Sequence, residues 1–94
     1  MKHDSKRDAN ELNIVRGLEA FGCSVERLSQ GGVPDLLVGY KKTVCLIEVK
    51  MPSKKLNAVQ VAWHSNWRGQ VAVVTTLEQA IDVVMSVFRA TVPF

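Results

Sequence analysis

Hydrophobic residues recur along the chain in two ways, at helical spacing in three segments and as short apolar runs in four others. The first helical segment ends at Phe21, before Gly22, and the second follows the N-cap residue Asn57. The predicted helices run from about residues 5–8 to 21, from 57 to about 68–69 and from 75 to about 90, and the predicted strands are 23–28, 35–40, 43–49 and 70–74. The order α-β-β-β-α-β-α predicts an α/β fold with a mixed β-sheet flanked by helices.

The third predicted strand, Thr43 to Val49, is the most apolar of the four. A continuous apolar strand is typical of a sheet whose two faces are both covered. We therefore expect helices or other elements on both sides of this strand.

The composition is that of one small folded domain. The chain has 94 residues, of which 47% are hydrophobic and 22% charged, as in ordinary globular proteins. We divide it into a basic N-terminal tail, residues 1–7, and a single domain, residues 8–94. The tail lacks the apolar centre of a signal peptide, and no apolar run approaches membrane-spanning length. We expect a cytoplasmic protein with no membrane partner.

The net charge and the cysteines exclude few binding partners or types of site. The net charge of +3 and the pI near 9.1 suit a protein that approaches phosphate, but many unrelated domains share them. Cys23 and Cys45 lie in apolar, strand-like stretches, so we expect free buried thiols. No Cys/His spacing resembles a zinc site.

Two carboxylates and a lysine stand at predicted strand ends. Asp35 follows Pro34 where the second strand begins. Glu48 and Lys50 lie two residues apart at the end of the third strand, so both side chains point to one face. Carboxylate oxygens bind Mg²⁺, which activates water, and a lysine can orient that water or neutralise charge on the phosphorus centre. Such a set suits the hydrolysis of a phosphodiester.

Glu11 belongs to the apolar stripe of the first helix. Ile14, Val15 and Leu18 follow it three, four and seven residues later. We therefore expect its carboxylate to point over the sheet end towards the metal. The alternative is an ordinary first-turn glutamate that the helix dipole favours.

Together these residues resemble a known group of nucleases. Gly32-Val33-Pro34-Asp35 and, thirteen residues after Asp35, Glu48-Val49-Lys50 resemble the motif of the PD-(D/E)xK nuclease superfamily. Within it, the chain is similar to the stand-alone virus-type replication-repair nuclease (VRR-NUC) domains of phages. Glu11 and the stretch Gln60-Val61-Ala62-Trp63-His64 support this narrower likeness, which covers about residues 8–85. The chain is also similar to Holliday-junction resolvases.

The resemblance implies a restriction-endonuclease-like core and an Mg²⁺-dependent endodeoxyribonuclease, with Mn²⁺ able to substitute. It implies that Asp35, Glu48 and the backbone carbonyl of Val49 bind the metal and that Lys50 is the catalytic lysine. It adds Glu11 and Gln60 as accessory residues of the site. The likeness to junction resolvases implies a branched or structured DNA substrate, such as a four-way junction or a flap, and a dimer.

The core residues also have simpler interpretations. Asp35 could cap a turn after Pro34. Glu48 and Lys50 could form a surface ion pair, which contributes only about 0–1 kcal/mol. Gln60 is the residue expected to complete a capping box with Asn57.

Three further polar residues flank the motif. Lys54 and Lys55 follow the third strand in a loop, where we expect them to contact DNA phosphate rather than to be solvated loop charges. His64 lies between two tryptophans of the second helix, and its position is more typical of a surface residue than of a ligand.

The third helix carries an apolar stripe wider than one sheet face requires. A broad apolar surface on a small protein indicates a partner. We expect a homodimer whose interface uses Ile81, Val84, Met85 and Phe88.

Two other functions fit the same sequence. The first is a non-catalytic DNA-binding module with a decayed nuclease site, which would bind DNA in a salt-sensitive way without cutting it. The second is a structural or regulatory dimer in which the aspartate, glutamate and lysine form a buried ion network without affinity for DNA.

Overall fold

The computed structural model describes residues 7–91, and its elements follow the predicted order α-β-β-β-α-β-α. The sheet has the strand order β1-β2-β3-β4. The first two pairings are antiparallel and the pairing of β3 with β4 is parallel, so the predicted mixed sheet is confirmed. The helices are α1 (Glu11–Phe21), α2 (Ala58–Asn66) and α3 (Leu77–Thr91), and the strands are β1 (Ser24–Arg27), β2 (Leu36–Tyr40), β3 (Thr43–Val49) and β4 (Ala72–Val74).

The first helix begins later than the sequence predicted. It starts at Glu11 rather than at residues 5–8, because the preceding residues form a turn in which the N–H of Glu11 donates to the carbonyl of Asp8 at 3.1 Å. The helix ends at Phe21, as predicted, and the φ of 115° at its C-cap, Gly22, lies in the left-handed region. Of the predicted N-terminal tail, residues 1–6 lie outside the described residues, as do residues 92–94.

The core lies on one face of the sheet, under α1 and α3. Both helices contact the strands and each other. They approach closely at Gly17, where an added Cβ would lie 2.3 Å from a side-chain carbon of Leu77. Each fully buried aliphatic side chain in such a core contributes about 1.5–3 kcal/mol. The buried apolar residues are Ile14, Val15, Leu18, Cys23, Leu36, Val38, Cys45, Ile47, Val49, Val74, Ala80 and Val84.

The expectation that β3 is covered on both faces is wrong. Its alternate residues face the core, but Val44 on the opposite side is 62% exposed. Leu37 of β2 and Val73 of β4 share that side and are 36% and 46% exposed. Within residues 7–91, α2 is the only helix on this side; it has nine residues and buries Gln60 alone. It is too short to cover the sheet, so most of this face stays open.

The two cysteines are free and buried, as predicted. Burial raises the pKa of Cys45 to about 11, and the nearby Cys23 thiol adds to that shift. Within residues 7–91, no helix is long and apolar enough to cross a membrane.

Candidate active site

The register of the sheet brings the central predicted residues to one sheet end. Leu36 pairs with Ile47 across the antiparallel β2–β3 ladder. One step further along the ladder, Asp35 comes opposite Glu48, so both side chains leave the sheet on the same face. Lys50 follows two residues later, one residue beyond the end of β3. The N–H of Lys50 donates to the carbonyl of Val74 at 2.9 Å, which extends the parallel ladder to the lysine itself.

The side chain of Asp35 binds the neighbouring strand. Its Oδ2 accepts a hydrogen bond at 2.9 Å from the N–H of Val49, fourteen residues away on β3. Asp35 is only 5% exposed, and a charge-assisted bond of this kind offsets part of the cost of burying the carboxylate. The contact fixes Asp35 against the strand that carries Glu48.

Gln60 is both a cap and a site residue. Its Oε1 accepts from the N–H of Asn57 at 3.0 Å, and its own N–H donates to the Asn57 side chain at 2.9 Å, which completes the predicted capping box. Its Nε2 also donates to Glu48 Oε2 at 3.2 Å. Glu48 is 1% exposed and Gln60 is 8% exposed. The start of α2 therefore contacts the Glu48 carboxylate through the Gln60 side chain.

His64 faces the site rather than solvent, contrary to the sequence interpretation. It lies one turn after Gln60 on the same side of α2, and its Nε2 is 3.9 Å from Glu48 Oε1. Its side chain is 14% exposed. Burial lowers the pKa of His64 and so favours the neutral ring.

Glu11 is buried, as predicted, and two arginines bind it. Nε of Arg7 lies 2.7 Å and Nε of Arg27 lies 2.8 Å from Glu11 Oε2. Oε1 of Glu11 has no hydrogen-bond partner among residues 7–91. Arg7 also donates to the carbonyl of Asp35 at 3.3 Å, so Glu11 is connected to the Asp35 strand through one guanidinium.

Asn10 joins the ends of the two parallel strands. Its Nδ2 donates to the carbonyl of Lys50 at 3.1 Å and to the carbonyl of Thr75 at 2.7 Å. It therefore holds the backbone of the predicted catalytic lysine from the start of α1.

The remaining predicted residues lie outside this cluster. Lys54 and Lys55 are exposed in the loop between β3 and α2. The apolar stripe of α3 is used largely within the monomer, since Val84 is in the core. Ile81, Met85 and Phe88 are half-buried, and the ring of Phe88 packs edge-on against Tyr40.

The donor set fits a hard divalent cation. Asp35 and Glu48 supply carboxylate oxygens at adjacent strand ends, and Val49 between Glu48 and Lys50 supplies a backbone carbonyl. Mg²⁺ usually binds one or two carboxylates and retains several waters, so it does not require a complete protein cage. Among the described residues, no group of three or more histidine, cysteine, aspartate or glutamate side chains is placed to hold a metal.

Sequence reasoning missed Arg7, Asn10 and the orientation of His64. Arg7 stands four residues before Glu11, the spacing of a helical ion pair, and this signal could have separated it from the tail. His64 stands four residues after Gln60, which places both on one helix face. No comparable signal marks Asn10, because its partners are backbone carbonyls far along the chain.

One comparison with known proteins supports this fold. Among solved structures, a VRR_NUC domain superposes with a TM-score of 0.64 at 26% sequence identity, covering 80% of this chain and 89% of that chain. No protein-family model and no curated protein matches the sequence. The mixed sheet with its flanking helices is thus a restriction-endonuclease-like fold of the nuclease type. Within that class, the structural match supports a VRR-NUC domain, as the motifs indicated.

Proposed function

We propose that this chain is a divalent-metal-dependent endonuclease that hydrolyses phosphodiester bonds in DNA. One observation supports the proposal most directly: the β2–β3 register brings Asp35 opposite Glu48, and Lys50 follows one residue beyond the same strand end. An ordinary surface ion pair would not require a second buried carboxylate beside it. The structural likeness to a VRR_NUC domain supports the nuclease assignment independently.

Each residue has a distinct role in this proposal. Asp35, Glu48 and the Val49 carbonyl hold Mg²⁺, for which Mn²⁺ substitutes. The bound metal supplies Lewis acidity and a water of lowered pKa. Lys50 orients that water and neutralises charge that develops on the phosphate oxygens. Gln60 fixes the Glu48 carboxylate, and Glu11 is an accessory residue that Arg7 connects to the strand end carrying Asp35.

The substrate in this proposal is branched or structured DNA, such as a four-way junction or a flap. The loop that carries Lys54 and Lys55 leaves β3 directly after Lys50, and its exposed charges suit contact with the DNA backbone. The resemblance to phage nucleases and junction resolvases supports this choice. The proposal includes a cytoplasmic location, in the host cell if a phage encodes the protein.

The proposal includes a homodimer. A copy of the chain would cover the open side of the sheet, where a shallow groove is lined by Leu37, Val44, Cys45, Leu46, Trp67 and Gln70. This lining contains no charged side chain, so it is unsuited to DNA phosphate. A two-fold dimer would bring the same apolar surface against it from the partner.

The test is cleavage of labelled linear duplex, single strand, flap and four-way junction with Mg²⁺ or Mn²⁺. We expect the wild type to cut a branched substrate and Lys50→Ala to lose at least ~10²-fold in rate. Lys42→Ala, in the turn at the opposite end of the sheet, is the matched control and should cut normally. If the wild type binds DNA but cuts none of these substrates with either metal, the endonuclease proposal is wrong and the DNA-binding alternative is favoured.

A further inference from the structure

We propose that Arg7 and Asn10 are positioning residues that set the spacing between Asp35 and Lys50. Both lie just before α1, and each binds the backbone of a strand end that carries a residue of the site. The inference rests on the proposed function, since it assigns these residues to the same reaction.

Arg7 acts on the Asp35 side. Its side chain is 5% exposed, and its three nitrogens are all engaged. Nε binds Glu11, Nη1 donates to the carbonyl of Leu28 at 3.1 Å, and Nη2 donates to the carbonyl of Asp35 at 3.3 Å. Leu28 in turn donates its N–H to the Asp35 carbonyl at 2.7 Å. One guanidinium therefore spans the two ends of the connection between β1 and β2 and ties both to α1.

Asn10 acts on the Lys50 side. The N–H of Lys50 is bound by Val74, and the carbonyl of Lys50 is bound by Nδ2 of Asn10, so the lysine backbone is held at both polar groups. Lys50 lies one residue beyond the end of β3, where the chain leaves the sheet for a loop. Asn10 therefore holds the Lys50 backbone at a point where the hydrogen bonds of β3 no longer do so. Its second bond, to Thr75, joins the same point to the end of β4.

The two contacts start three residues apart on one short segment, so they fix the two strand ends relative to each other. Reacting groups must be held to a fraction of an ångström, and a misplacement of about 1 Å can cost about 10²-fold in rate. The contacts act through different residues and should therefore fail in different ways. Loss of the Arg7 contact should affect metal binding through Asp35. Loss of the Asn10 contact should affect the chemical step through Lys50.

The first variant is Asn10→Asp, which keeps the shape of the side chain. It replaces the amide donor with a carboxylate oxygen, which cannot donate to the two carbonyls that Asn10 binds. Asn13→Asp is the matched control, because Asn13 is exposed on the same helix and undergoes the same change of charge. We expect Asn10→Asp to slow single-turnover cleavage about 10- to 100-fold, with the Mg²⁺ concentration for half-maximal rate unchanged within about two-fold. Asn10→Ser, which retains one donor, should recover part of the rate, and it replaces the aspartate variant if that fails to fold.

The second variant is Arg7→Lys, which keeps the charge beside Glu11 but cannot reach three acceptors in one plane. Arg16→Lys, on the exposed side of α1, is its control. The readout is the Mg²⁺ concentration that gives half of the maximal rise in melting temperature. This measurement does not depend on DNA cleavage. We expect that concentration to rise about five-fold or more for Arg7→Lys and to stay at the wild-type value for Arg16→Lys.

Two results would overturn the inference. One is an Asn10→Asp protein that melts at a lower temperature yet cleaves at the wild-type rate while folded. The other is equal changes of metal dependence and rate in both variants, which would indicate general loosening of the domain. A wild type that cuts no DNA but is stabilised by Mg²⁺ would count against the proposed function alone. Even in that case, the role of Arg7 would be rejected if Arg7→Lys needed the same Mg²⁺ concentration as the wild type for half of the maximal rise in melting temperature.

Discussion

The side-chain amide of Gln60 lies 3.2 Å from the Glu48 carboxylate while the other end of the same amide closes the cap of α2. The Gln60 side chain thereby connects the start of α2 to the site residue Glu48. A change at Gln60 affects both, but a change at Asn57 affects the cap alone, so the two roles can be separated.

We predict that Asn57→Ala lowers stability without lowering activity, whereas Gln60→Met lowers both. Loss of the N-cap side chain costs about 1 kcal/mol, and Gln60 can still reach Glu48 in that variant. Gln60→Met retains the volume but removes the donor to Glu48, so cleavage should fall about 10-fold or more. Urea unfolding and single-turnover rates below the transition measure the two effects. Equal loss of activity in both variants would show that Gln60 acts only through the helix.

We predict that Glu11→Ala destabilises the fold by about 3–5 kcal/mol, because removing one partner leaves a buried charge uncompensated. The carboxylate binds Arg7, whose side chain is 5% exposed, and Arg27, whose side chain is 42% exposed. The free energy of unfolding in urea measures the loss. Glu19→Ala, at an exposed position of the same helix, should change it by no more than about 0.5 kcal/mol. A loss below about 1 kcal/mol for Glu11→Ala would mean that water satisfies both arginines.

We predict that Cys45 reacts slowly with thiol reagents in the folded protein and faster as pH rises towards 11. The thiolate is the reactive species, and burial raises the pKa of Cys45 to about 11, so the thiol stays protonated near neutral pH. The raised pKa also means that stability declines as pH climbs from about 9, the ordinary pKa of the unfolded thiol, through the folded value. Mass spectrometry after iodoacetamide treatment, with urea-unfolded protein as control, follows the labelling. Rapid labelling of native protein at pH 7.5 would contradict the prediction.

The sequence predicted the order of elements and the sheet because hydrophobic spacing reports local structure directly. It also predicted the cluster at Asp35, Glu48 and Lys50, since strand alternation and an unusual charge at the end of an apolar strand are both visible in one dimension. The prediction that both faces of β3 are covered was wrong. An apolar residue such as Val44 gives the same sequence pattern whether or not a helix of its own chain covers it. Coverage depends on the length of α2, which only the fold shows.

The contacts that Arg7 and Asn10 make at the site could not be predicted from the sequence in the same way. Arg7 was assigned to a basic tail because a charge near a terminus is usually solvated, but here the loop carbonyls of Leu28 and Asp35 accept its hydrogen bonds. Asn10 binds carbonyl groups forty and sixty-five residues away. Backbone acceptors have no identity in the sequence, so no spacing rule could have indicated them.

The open side of the sheet gives the last prediction: Val44→Glu converts a dimer into a monomer. Val44 is 62% exposed, so the substitution should cost the monomer little, no more than about 0.5 kcal/mol. In a two-fold dimer it would bury two carboxylates in an apolar contact, each at a cost of several kcal/mol. Sedimentation at micromolar concentration measures the change, and Val59→Glu, at a valine 63% exposed on α2, is the matched control. A wild type that sediments as a monomer would reject the homodimer. A Val44→Glu protein that still dimerises would shift the interface to another surface, with the half-buried residues of α3 as the next to test.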